Sequence, residues 1–168
     1  MRLLALETSC DDTSAAVIVH GAVRSNVVSS QIDTHEAYGG VVPELATREH
    51  LRQWLGIARL ALRRADVDLK DLDAVAATRG PGLPQALMIG YGAGQTLAWQ
   101  LGRPFLGVHH HEAHLYSPWV SDESPIRSLL DTLRPAVGLV ASGGHTLLAQ
   151  VISDRAHRVL GTTLDDAA

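Results

Sequence analysis

The sequence predicts an α/β protein of layered architecture, built from two related halves of which the second is incomplete. Three observations predict it. Strand-like and helix-like segments alternate after an opening run of three strands. A second run of three strand-like segments, at 136–141, 146–153 and 157–161, repeats that opening. A charged stretch at 119–135, carrying Pro125 and Pro135 around a short helical hint at Leu129-Leu130, separates the two runs. The expected order is βββαβαβ, a linker, then βββ. The matching boundaries are an amino-terminal domain at 1–118, a linker or insertion at 119–135, and the start of a second domain at 136–168.

The first three strands are expected at 3–7, 14–20 and 22–29, the last two joined by a tight hairpin at His20-Gly21. A helix follows over about 43–65. Pro43 suits its first turn, and Leu51, Leu55, Ala58 and Leu62 recur at helical spacing as the expected buried stripe. Residues 73–78 read as a buried strand that feeds Gly80-Pro81-Gly82 and a second helix, with Leu83, Leu87, Tyr91, Gly94, Ala98 and Leu101 on one face. Gly90, Gly92 and Gly94 each weaken that helix by up to ~1 kcal/mol relative to Ala, which points to close backbone approach of a neighbour. A strand at 105–108 then leads into His109-His110-His111-Glu112-Ala113-His114.

Composition bounds the class. With 168 residues, one large domain or two small ones fit. The 46% apolar content supports a core, and the 4% aromatic content makes that core largely Leu, Val, Ile and Ala. A net charge of −4 gives no global argument for nucleic-acid or membrane binding. Cys10 is the only cysteine, so no internal disulfide forms and a reducing compartment is expected. The apolar start at 3–6 is cut short by Glu7, too soon for a signal-peptide core, and no apolar run approaches the ~20 residues of a membrane helix. A soluble cytoplasmic protein is expected. Residues 164–168 carry no helix stop or polar tail and read as a chain that breaks off inside a domain.

The histidine cluster is the most informative feature. Residues four apart share a helix face, so His110 and His114 can present two imidazoles to one metal ion. Imidazole suits zinc and iron, and a catalytic site needs a third protein ligand and an open position. The zinc-protease pattern His-Glu-x-x-His is absent. Three loops suit an anion. These are the hydroxyl- and carboxylate-rich Glu7-Thr8-Ser9-Cys10-Asp11-Asp12-Thr13, the Gly80-Pro81-Gly82 bend, and Ser142-Gly143-Gly144-His145-Thr146, whose glycines let backbone N–H groups approach a phosphate or acyl oxygen. Arg48, Arg52, Arg59 and Arg63 form a basic row on the first long helix, readable as a phosphate contact or as a docking face for another protein.

The order of six motifs is specific. Glu7-Thr8-Ser9-Cys10-Asp11-Asp12-Thr13-Ser14, Tyr38-Gly39-Gly40-Val41-Val42-Pro43-Glu44-Leu45-Ala46, Gly80-Pro81-Gly82-Leu83, His110-His111-Glu112-Ala113-His114, Ser142-Gly143-Gly144-His145-Thr146 and Thr163-Leu164-Asp165-Asp166-Ala167-Ala168 occur collinearly from one end of the chain to the other. In this the chain resembles the tRNA N6-adenosine threonylcarbamoyltransferase (TsaD) family, once labelled O-sialoglycoprotein endopeptidases. The resemblance implies an actin/Hsp70/sugar-kinase-like fold of two RNase-H-like halves. It implies transfer of threonylcarbamoyl from threonylcarbamoyl-AMP to N6 of adenosine 37 in tRNAs that read codons beginning with A. His110 and His114 would hold an iron or zinc ion. Val140, Ala141, Ser142, Gly143, Gly144, His145 and Thr146 would wrap the adenylate. Asp11 or Asp12 would assist proton transfer or place the substrate. The implied partners are tRNA, a TsaB-like paralogue that forms a heterodimer through the amino-terminal half, and other proteins of t6A synthesis, with no membrane.

The chain also departs from the family. A third metal ligand, an aspartate, and several nucleotide contacts lie in a carboxy-terminal half absent here. The 168 residues alone are therefore expected to be inactive unless a complementing half joins them. Gln85 stands where the family usually has glycine, adding bulk near the Gly-Pro-Gly bend. Two other functions fit the same fold. A non-catalytic scaffold of the t6A machinery would not need the two histidines. An ATPase or phosphotransferase would usually place glycine in the first loop, where this chain has Ser9-Cys10-Asp11-Asp12.

Overall fold

A computed structural model describes residues 1–120, 135–142, 145–153 and 156–163. The chain divides into two compact units, Met1–His110 and His111–Ala168.

The first unit is a five-stranded mixed sheet in the order β3-β2-β1-β4-β5, with two long helices packed on each other and on the sheet. Strands β1 (Arg2–Glu7), β2 (Asp12–Val19) and β3 (Ala22–Ser30) form an antiparallel meander. The β2–β3 turn is the expected His20-Gly21, both residues at positive φ. Period-two burial explains the register: Leu4, Leu6, Ala15, Val17 and Val27 are buried, while their neighbours in sequence are more exposed. A short helix α1 (Ile32–Glu36), not expected from the sequence, leads to the long helix α2 (Pro43–Arg64). Strand β4 (Ala74–Gly80) then pairs parallel with β1. Helix α3 (Pro84–Leu101) crosses back to β5 (Phe105–His109), which pairs parallel with β4.

Helix α2 starts on the expected Pro43 and α3 on Pro84, and their buried faces match expectation only in part: Ala58, Leu62, Gly94 and Ala98 are buried as expected. In α2 the buried residues are Ala46, His50, Ala58, Ala61 and Leu62, whereas Leu51 and Leu55 are 61% and 41% exposed. The expected stripe holds at Ala58 and Leu62 but not at Leu51 and Leu55, because the first half of this helix packs closely, through Ala46 and His50, against its neighbours. In α3 the buried line is Ala86, Gly90, Gly94 and Ala98. The close approach expected of its glycines holds at two of three. A Cβ on Gly90 would lie 2.5 Å from Thr8 Oγ1, and one on Gly94 2.8 Å from Phe105, whereas Gly92 faces open space.

The second unit begins with helix α4 (His110–Tyr116), which continues from the last residue of the first unit. It carries an antiparallel sheet of β6 (Ala136–Ser142), β7 (His145–Ser153) and β8 (Ala156–Thr162). Leu115, Trp119, Ala149 and Val151 form its core. Tyr116 donates its hydroxyl to the Ser153 carbonyl at 3.1 Å. The helical hint at Leu129-Leu130 and the tail at 164–168 lie outside the described residues. No helix is long and apolar enough to cross a membrane.

Candidate functional site

The parallel strands β1, β4 and β5 end side by side, and the carboxyl ends of parallel strands are where α/β sheets present ligand-binding groups. Glu7 closes β1, Thr78 lies near the end of β4, and His110 follows β5 directly. The three side chains meet. The Glu7 carboxylate accepts from the Ser9 backbone N–H and from the Thr78 hydroxyl, and lies 3.3 Å from His110 Nδ1. Ser9 Oγ stands 3.1 Å from the same nitrogen. Burial pushes the Glu7 carboxyl up, yet hydrogen bonds from His110, Ser9 and Thr78 together outweigh it and hold the group at about 2. Glu7 is thus an acceptor at any ordinary pH, so His110 Nδ1 carries the proton between them.

The Gly80-Pro81-Gly82 bend packs onto the first loop. Leu83 N–H donates to the Ser9 carbonyl at 2.8 Å. Gly82 sits at φ +156°, and a Cβ there would lie 2.5 Å from that carbonyl oxygen, so only glycine fits. Thr8 donates to the Ala86 carbonyl and accepts from Gly90 N–H, fixing the loop to the start of α3. Two of the three expected loops therefore converge with His110 in one unit. Gln85 is exposed and adds no bulk to the bend.

His114 lies one helical turn after His110 and is exposed. The carboxylate beside His110 is the kind of partner to which a metal-bound histidine ordinarily hands its other N–H. Among the described residues no group of three or more His, Cys, Asp or Glu side chains is placed to hold an ion. Asp12 is exposed and Asp11 half-buried at the start of β2. Cys10 is exposed, yet burial of its thiol, then a hydrogen bond and the charges of Asp11 and Asp12, push the thiol up to about 11.

In the second unit, Val140, Ala141 and Ser142 end β6, and His145 and Thr146 begin β7. Gly143 and Gly144 lie outside the described residues. Val140 packs toward the core, whereas Ala141, Ser142 and His145 are exposed. The His145 ring lies 4.9 Å, centroid to centroid, from that of His111, tilted against it by 57°. Arg48, Arg52, Arg59 and Arg63 are all exposed on α2, Arg52 bound to Glu49 at 2.5 Å.

Sequence reasoning did not single out Glu7 from its loop. Its signal was a carboxylate directly closing an apolar strand, where it must be desolvated and hydrogen-bonded.

The mixed sheet and the helices packed on it are those of actin- and sugar-kinase-like α/β proteins. YeaZ from Pseudomonas aeruginosa superposes with a TM-score of 0.64 at 24% identity, covering 99% of this chain and 67% of that one. The ROK hexokinase from Thermus thermophilus gives a TM-score of 0.53 at 18% identity, covering 95% of this chain and 48% of that one. Residues 22–168 match the family described as TsaD, tRNA N6-adenosine threonylcarbamoyltransferase. Relatives of that name from Chlorobium luteolum and Thermus thermophilus are 52% and 48% identical over 168 residues, all of this chain and 47% and 49% of those proteins. The chain belongs to the TsaD family and spans about half the length of the curated relatives it matches.

Proposed function

We propose that this chain is the amino-terminal half of a metal-dependent enzyme that transfers threonylcarbamoyl from threonylcarbamoyl-AMP to N6 of adenosine 37 in tRNAs reading codons that begin with A. The observation that carries the reading is His110 held by Glu7 at the carboxyl ends of three strands, with His114 one turn further along α4.

In this reading His110 and His114 would hold the iron or zinc ion. When bound, the ion supplies Lewis-acid polarisation or orientation of the threonylcarbamoyl group. Glu7 keeps the His110 ring in one tautomer and one orientation, and Ser9 and Thr78 keep Glu7 in place. The adenosine amine attacks the carbamoyl carbon; a C–N bond forms, the bond from that carbon to the phosphate oxygen breaks, and AMP leaves. Asp11 or Asp12 takes the amine proton or places the substrate. Residues Val140, Ala141, Ser142, Gly143, Gly144, His145 and Thr146 bind the adenylate. The exposed Arg48, Arg52, Arg59 and Arg63, with the exposed Leu51 and Leu55 between them, suit a TsaB-like protein partner better than direct tRNA contact, because a docking face combines apolar area with charge. A complementing carboxy-terminal half supplies the third ligand, and the setting is the cytoplasm.

The test is threonylcarbamoyl transfer to tRNA by the full-length protein carrying His110→Ala and His114→Ala. Loss of transfer supports the reading; transfer at the unaltered rate contradicts it.

A further inference from the structure

The first loop is tied down one carbonyl at a time. Ser9 C=O accepts from Leu83 N–H, Asp11 C=O accepts from Gln31 N–H at 3.1 Å, and Cys10 C=O, between them, accepts from His50 Nε2 at 3.0 Å. His50 is fully buried on α2 and is 40 residues away in sequence. A carbonyl only accepts, so Nε2 carries a proton, and the Gln31 amide N–H facing Nδ1 makes that nitrogen the acceptor. Two donors meet that acceptor: the Thr13 hydroxyl at 2.8 Å and Gln31 Nε2 at 3.3 Å. The Gln31 oxygen in turn accepts from His35 Nε2 at 3.1 Å, and His35 Nδ1 accepts from Val42 N–H at 3.4 Å. Thr13, Gln31, His35 and His50 are all buried. Every donor and acceptor in this chain runs in one direction, from the Val42 amide to the Cys10 carbonyl.

A network so buried and so completely paired specifies one arrangement, because any ring flip or tautomer change leaves a desolvated polar atom without a partner. What it specifies is the Cys10–Asp11 peptide. With its C=O held inward by His50, the planar trans peptide turns the Asp11 N–H to the opposite side, where it hydrogen-bonds the Cys10 thiol. The same loop contributes Ser9 to the Glu7–His110 cluster.

We infer that His50 is a positioning residue: acting through the Cys10 carbonyl, it sets the orientation of the Cys10–Asp11 peptide and so fixes the Asp11 amide and carboxylate beside the Cys10 thiol. The kinetic side of this inference rests on the transferase reading; the structural side does not. Histidine is needed because one ring donates outward at Nε2 while accepting inward at Nδ1.

Two isosteric substitutions separate the two functions of the ring. Gln places an amide N–H near the position of Nε2, so His50→Gln keeps the bond to Cys10. Asn places an amide oxygen near the position of Nδ1, so His50→Asn keeps the acceptor and loses that bond. Both variants of the full-length protein are compared with the unaltered protein in three measurements: thermal midpoint, kcat and KM for transfer, and the rate of Cys10 alkylation by iodoacetamide, resolved by peptide mass spectrometry. The expected result is that His50→Asn lowers kcat about tenfold with little change in KM and speeds Cys10 alkylation about fivefold, whereas His50→Gln retains kcat within about threefold and the unaltered alkylation rate. Equal alkylation rates in the two variants, with any kcat loss following thermal midpoint alone, would overturn the positioning role. If even the unaltered full-length protein transfers no threonylcarbamoyl, the transferase reading fails, and the alkylation contrast still decides the role of His50.

Discussion

At the residue scale the site depends on a carboxylate kept charged against its own burial. Glu7 has an ordinary value of 4.5 and is held at about 2 in the fold. Its contribution to stability is therefore complete above about pH 4.5 and is lost as pH falls toward 2. Glu7→Gln removes that slope. Urea midpoints measured from pH 6 down to pH 3 should fall more gently in the variant than in the unaltered protein. Parallel curves would show that Glu7 carries no such charge. Gln also donates where Glu only accepts, so the variant sets an amide N–H against the Thr78 hydroxyl or His110 Nδ1 and destabilises the fold at neutral pH by about 1–3 kcal/mol.

At the element scale, α3 offers a paired prediction. Gly90 has no room for a methyl group, because Thr8 fills the space and is itself held by Ala86 and the Gly90 amide. Gly92 has open space. Gly92→Ala should stabilise the protein by up to ~1 kcal/mol through helix propensity, while Gly90→Ala should destabilise it by about 1–3 kcal/mol through overpacking. Chemical denaturation of the two variants checks both signs at once. The contrast also shows where the sequence was legible. Strands β1 to β5 and β6 to β8 were readable because period-two burial and turn residues fix a strand locally. The glycines of α3 were readable as a contact, but not which of them made it, since that depends on which strand lies opposite. The stripe on α2 was read correctly at Ala58 and Leu62 and misplaced at Leu51 and Leu55 for a related reason: this helix has apolar residues on more than one side, and the rest of the docking face is set by Ala46, His50 and Ala61, whose signal in a sequence is weak. His50, a polar residue at the centre of that face, pointed away from burial until its partners at Thr13, Gln31 and Cys10 were seen.

At the scale of the whole molecule, the second unit is the part least finished by itself. Val137, Leu139, Ile152, Val159 and Leu160 of its sheet are 45–66% exposed. Exposed apolar surface of this extent drives association. The 168-residue chain should elute in size-exclusion chromatography as dimers or larger species whose fraction rises with concentration, while the full-length protein should show no such trend from this surface. A concentration-independent monomer would contradict this. The candidate site was legible in part at this scale. The histidine pair and the loops stood out as motifs, and the convergence of the first loop, the Gly-Pro-Gly bend and His110 follows from a strand order that no local motif records.

The central proposal is that His110, oriented by Glu7, and His114 hold a metal ion. The direct measurement is metal content of the purified full-length protein by elemental mass spectrometry, beside His110→Ala/His114→Ala, with circular dichroism to confirm that both are folded. One iron or zinc per chain in the unaltered protein and none in the folded double variant is the predicted result. The same stoichiometry in both would contradict the account.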